Sequence, residues 1–116
     1  MLLAYWEPDC EQDVDARRRW FAAADRIATG ITELAHLDAF VDPARYRVGF
    51  SCGGDADLAF AYALAIQSEN VDARAVSPHP GRPADEVLLP CRPDATDEEV
   101  THAVLATMKA SHALEF

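Results

Sequence analysis

The stretch Tyr46–Ala75, YRVGFSCGGDADLAFAYALAIQSENVDARA, decides how this chain folds. Tyr46, Val48, Phe50 and Cys52 alternate with Arg47, Gly49 and Ser51, which is the two-residue period of a strand. Gly53 and Gly54 then permit a sharp turn. Asp55 stands where a helix N-cap is needed. From Leu58 to Ile66 the chain is apolar nearly all round, which predicts a buried helix. Asn70 suits the left-handed residue that closes such a helix, and Val71–Ser77 reads as the next strand. The unit is strand, glycine turn, helix, strand.

Working outward, Leu2–Glu7 (LLAYWE) reads as a first strand stopped by Pro8, with Cys10 in the turn after it. From about Asp13 to Val41 the apolar residues Trp20, Ala24, Ile27, Ile31 and Leu34 recur at steps of three or four. That spacing predicts one long helix, closed by Pro43. Arg17, Arg18 and Arg19 form a basic run, but Asp13 and Asp15 stand four residues before Arg17 and Arg19, the spacing of ion pairs on a solvated helix face. Ser77–Asp85 (SPHPGRPAD) is a stiff proline loop. Glu86–Cys91 reads as a short fourth strand antiparallel to the third, and Pro90 places it at an edge. Thr96-Asp97-Glu98-Glu99 is a capping box that opens a last helix, with Val100, Val104 and Met108 as its buried stripe.

The order is thus βαβαββα in a single domain, residues 1–116. The strands carry one polar side each: Arg45, Arg47 and Ser51 on the second, Asp72 and Arg74 on the third. A sheet covered on both faces would be apolar on both. The expected fold is therefore an α/β (α+β) two-layer sandwich, a four-stranded mixed sheet with helices mainly on one face. The other face then carries Leu3, Tyr5, Arg45, Arg47, Arg74, Val76 and Leu88. Tyr and Arg beside aliphatics are an interface composition, so this face is expected to bind a partner, in the simplest case a second copy of the chain.

The chain has 116 residues, enough for one real core. Its 20 acidic residues outnumber 10 basic ones, a formal charge of −10. Nine of the ten are Arg, with Lys109 the exception. Such a charge disfavours nucleic acid and anionic membranes, and favours a basic protein partner. Three cysteines, Cys10, Cys52 and Cys91, show no CxxC spacing. An odd count argues against a disulfide framework and for a reducing compartment, so the expected location is cytoplasmic. Neither a signal peptide nor a membrane span is expected.

For chemistry, Cys52 is the sharpest residue. It ends a strand at a helix start, where a thiolate nucleophile is often placed, and Asp55 or His79 would be its helper. Asp55 and Asp57 in the first turn would repel an anionic substrate, however, and alternation directs Cys52 towards the core. The string Ser51-Cys52-Gly53-Gly54-Asp55 resembles the SGGxDS loop of PP-loop ATP pyrophosphatases. Here Cys52 splits serine from the glycines and Asp57 replaces the last serine, so no residue is carried over. The order βαβαββ is also similar to that of small sulfur-transfer proteins, whose CPxP motif is absent. Cys52, His79 and Cys91 are too widely spaced on a hairpin for a metal site, and no cofactor is expected. The function expected is a non-catalytic protein-binding module of the immunity-protein, inhibitor or accessory-subunit type, with Tyr5, Arg47, Arg74, His79 and Arg82 as contact residues. The alternative is a small enzyme using Cys52.

Overall fold

The computed structural model describes residues 14–114. The strand expected at Leu2–Glu7, with Leu3, Tyr5 and Cys10, lies outside the described residues. Helix α1 (Val14–Gly30) buries Ala16, Trp20, Ala23, Ala24 and Ile27, one stripe at steps of three and four. Its outer side carries the expected Asp15–Arg19 ion pair at 3.1 Å.

The helix does not continue to Val41. It widens into a π-helical turn, Ile31–Ala35, and His36 halts it with a left-handed φ of 58°. Strand β1 (Asp38–Asp42) follows. Two periods fit this stretch: Ile31, Leu34, Leu37 and Val41 keep helical spacing, while Asp38, Phe40 and Asp42 alternate with Ala39 and Val41. Once His36 has reversed the chain, alternation decides which side chains meet the core. Asp42 then accepts hydrogen bonds from the N–H groups of Ala44 (3.1 Å) and Arg45 (3.3 Å), so Pro43 ends a strand instead of a helix.

Strand β2 (Arg47–Ser51) leads through Gly53 and Gly54, with φ of 63° and 90°, into α2 (Ala56–Gln67). Nothing lies within 4 Å of where a Cβ would stand on either glycine. Backbone conformation, not space, requires them. Asp55 caps α2 as expected, its Oδ1 accepting from Leu58 N–H at 3.0 Å. Asn70 is left-handed, φ 65°. Strand β3 (Arg74–Val76) is shorter than expected, because Val71 and Ala73 are bound in a tight turn (Ala73 N–H to Val71 O, 2.8 Å). After β4 (Glu86–Leu89), α3 (Asp97–Leu114) opens on the predicted capping box: Thr96 N–H donates to Glu99 Oε1 at 2.8 Å, and Glu99 N–H to Thr96 Oγ1 at 3.1 Å.

The sheet order is β1-β2-β4-β3, and every neighbouring pair is antiparallel. This corrects the mixed sheet. β2 and β3 do run parallel, as their connecting helix requires, but β4 lies between them. β4 is accordingly central and not an edge strand. Pro90 stands just past its last residue, where no ladder donor is needed. By register Ala39, Val41, Val48, Phe50, Ala75, Val87 and Leu89 share one face, and all belong to or pack on the core. Phe50 meets Tyr62 of α2 edge to face at 5.1 Å, and Tyr46 meets Trp20 of α1 likewise at 5.2 Å. Both helices therefore cover this face. α3 packs against α1, the π-helical turn and α2, so closely that a Cβ on Gly30 would stand 2.8 Å from Val104. The two-layer α+β arrangement is as expected. No described helix is long and apolar enough to cross a membrane.

Candidate functional site

The turn at Cys52 is held from β4. Cys52 N–H donates to Asp85 O at 2.7 Å, one step beyond the Ser51–Glu86 pair, so Cys52 and Asp85 are cross-strand neighbours on the core side. Asp85 is only 6 % exposed. Its Oδ2 accepts from Gly54 N–H at 2.7 Å, while Oδ1 is buried without a hydrogen-bond partner. Cys52 is half-buried and in no disulfide. Asp55 is engaged as the α2 cap and is not free to serve Cys52 as a base. His79 makes no hydrogen bond to Cys52 among the described residues. It acts electrostatically on Glu86 instead, whose side chain lies on the other face of the sheet. The structure thus sets Asp85, not Asp55 or His79, opposite Cys52 across the strands. Asp85 was missed in the sequence because only the antiparallel register sets it opposite Cys52.

The loop between β3 and β4 folds on itself. Ser77 Oγ lies against the carbonyl oxygens of His79 and, at 2.8 Å, Arg82, and Arg82 N–H donates to His79 O at 3.1 Å. His79 and Arg82 are both exposed. Arg45 reaches over from the β1–β2 turn to donate to Pro78 O at 3.1 Å. Here begins a shallow groove on the helix-free face, lined by Phe40, Arg45, Arg47, Val76, Glu86 and Leu88. Arg47, Val76 and Leu88 sit where alternation put them. Arg74 lies opposite Leu88 and is paired with Asp72 at 3.1 Å. The middle of this face is nevertheless closed: Leu88 is 6 % exposed and Gly49 is buried. Leu3 and Tyr5 of this face lie outside the described residues, and among the described ones it offers no broad apolar patch. Burial, then the neighbouring Asp85, raises the Glu86 carboxyl above its ordinary value; His79 and Arg45 pull it back, and Asp42 adds to the rise.

The exposed apolar side chains are elsewhere. α2 buries Ala59, Tyr62, Ala63 and Ile66 on one side only. Phe60 and Leu64, one turn apart on the other side, are 59 % and 50 % exposed, between exposed Asp57 and Gln67. The expectation that α2 is buried all round holds for half the helix. Fourfold apolar periodicity does not reveal which half.

A cleft of about 650 Å³ opens between α1, α3 and the segments leaving α2 and β4. Cys91 lines it, its thiol pushed up to about 12 by burial and its Sγ near Trp20 O. A thiol so placed stays protonated and unreactive. Cys91 and Cys52 lie at opposite ends of the sheet, as the hairpin implied. Among the described residues no group of three His, Cys, Asp or Glu side chains could hold a metal ion. No family model matches this chain, and no curated protein is found that resembles it.

Proposed function

We propose that this chain is a non-catalytic protein-binding module, of the immunity-protein, inhibitor or accessory-subunit type, and that the outward side of α2 is its contact surface. One observation carries this. α2 is apolar nearly all round, yet its own fold covers only one side. A helix apolar on every side belongs in an interior, and Phe60 and Leu64, 59 % and 50 % exposed, forgo about 1 kcal/mol each of further burial. Asp55 and Asp57 at the head of α2, and a chain charge of −10, favour a partner whose apolar patch is ringed by Lys and Arg. Cys52 and Cys91, neither in a disulfide, fit a reducing, cytoplasmic setting.

The variant Phe60→Glu/Leu64→Glu tests the surface. It should fold and melt close to wild type, because each side chain is already at least half exposed, and should lose the partner that wild type retains in affinity capture. Sedimentation of wild type alone identifies the case in which the partner is a second copy. A variant that keeps the same partner at wild-type strength would exclude this surface.

The second reading, a small enzyme using Cys52, is supported by Asp85, which lies opposite Cys52 across the strands and has a buried Oδ1 without a hydrogen-bond partner. Alkylation of folded protein by iodoacetamide separates the two. Rapid modification of Cys52 that slows in Asp85→Asn would support the enzyme, and slow modification in both would leave the binding module.

A further inference from the structure

The cleft has the anatomy of a small-molecule site, and it is independent of the outward side of α2. Its volume of about 650 Å³ falls within the roughly 300–1,000 Å³ typical of such sites. Ile27, Val71, Val100 and Ala103 form an apolar floor, none more than 7 % exposed. Protonated Cys91 extends that floor as a small apolar group.

The rim carries Asp72, which is paired with Arg74 at 3.1 Å, and the opposite charges Arg92 and Glu99, which make no hydrogen bond to each other; Asp94 stands just outside it. Arg92 Nη2 and Glu99 Oε2 stand 3.8 Å apart, and Arg92 Nε is 3.9 Å from Asp94 Oδ1. Both separations are ion pairs but too long for hydrogen bonds. The guanidinium therefore has unused donors among the described residues. Glu99 Oε1 is held by Thr96 N–H, which fixes the carboxylate and leaves Oε2 as an unused acceptor. His102 Nε2 lies 2.6 Å from Glu69 O. A carbonyl only accepts, so Nε2 carries the hydrogen of this bond.

A fitting ligand brings an apolar body, an acceptor for Arg92 and a donor for Glu99, and it carries no net charge into a chain of −10. A plain carboxylate would answer Arg92 but leave the Glu99 carboxylate beside it without a counter-charge. A plain amine would leave Arg92 unanswered. We propose that the cleft binds an α-amino acid with a large apolar side chain: its carboxylate on Arg92, where a forked contact is available, its ammonium on Glu99 Oε2, and its side chain over Ile27 and Val100.

The test is an amide NMR titration of the full chain with L-phenylalanine. Beside it run 3-phenylpropionate, which lacks the ammonium, and phenethylamine, which lacks the carboxylate. L-Phenylalanine should shift the amides of Val71, Arg92, Glu99 and Ala103 saturably at millimolar concentration, and bind about tenfold or more tightly than either half-analogue. Arg92→Gln and Glu99→Gln should each weaken it about tenfold. Gln at position 99 still completes the capping box, so Glu99→Gln removes the charge and keeps the helix start, which a thermal melt verifies. The proposal is overturned by the absence of saturable shifts at the cleft. It is equally overturned by a half-analogue that binds as tightly as the amino acid, or by unchanged affinity in a folded Glu99→Gln.

Discussion

Asp85 shows what a single side chain does for the turn before α2. Its carboxylate is buried, accepts one N–H from Gly54, and leaves Oδ1 unmatched. Asp85→Ala should cost about 2 kcal/mol, the loss of a hydrogen bond to a charged group. Asp85→Asn, which keeps an acceptor for Gly54 and discards the buried charge, should cost clearly less; equal losses in urea unfolding would show that Oδ2 is not what holds the turn. Its neighbour Glu86 gives a pH dependence. Burial above all raises its carboxyl over the ordinary 4.5, so the folded chain holds that proton more tightly than the unfolded chain. Stability from this group is full below the ordinary value and is lost as pH rises through the raised one. Glu86→Gln should therefore raise the melting temperature more at about pH 7 than at about pH 4. A gain independent of pH would contradict this. The roles of both residues are invisible in sequence, where they end a proline loop and begin a strand. They follow from which strand lies opposite.

The elements with chemical signatures at their ends were the legible ones. Asp55, Asn70 and the box from Thr96 to Glu99 each act through atoms within a few residues, and each sits as read. Thr96→Ala should lower stability by about 1 kcal/mol, and an unchanged urea midpoint would mean that the box contributes nothing. β1 was not legible, because its five residues also continue the helical spacing of α1 and the deciding event is the backbone reversal at His36. The place of β4 was not legible either, since Pro90 argues for an edge while the ladder needs nothing from it. Gly49 reads as an ordinary weak point in a strand. In the sheet β4 passes so close to Gly49 that a Cβ there would lie 1.9 Å from Val87 O. That obstacle is backbone and cannot swing aside. Gly49→Ala should cost more than about 4 kcal/mol or prevent folding. A variant as stable as wild type would show that the strands can separate at little cost.

At the scale of the molecule, two layers were legible because each strand shows water-seeking residues on one side. The proposed contact surface was not, because the apolar excess of α2 becomes informative only once the fold shows which part of it is left uncovered. The strand order has a consequence for the history of each molecule. β4 fills the gap between two strands that precede it in the chain, so β2 and β3 cannot be joined until residues 86–89 have been made. During synthesis the β1–β2 hairpin and β3 would leave the ribosome as parts with an unpaired strand edge each, the condition in which chains stick to one another. Closure comes late and all at once, when β4 enters and α3 seals the helices behind it. Molecules interrupted before that point are the ones a chaperone would have to hold. In the finished protein the same wedge should be the last place to open, with the amides of Val87, Leu88 and Leu89 slowest in hydrogen exchange. Faster exchange there than in β1 would mean that the sheet comes apart from its centre.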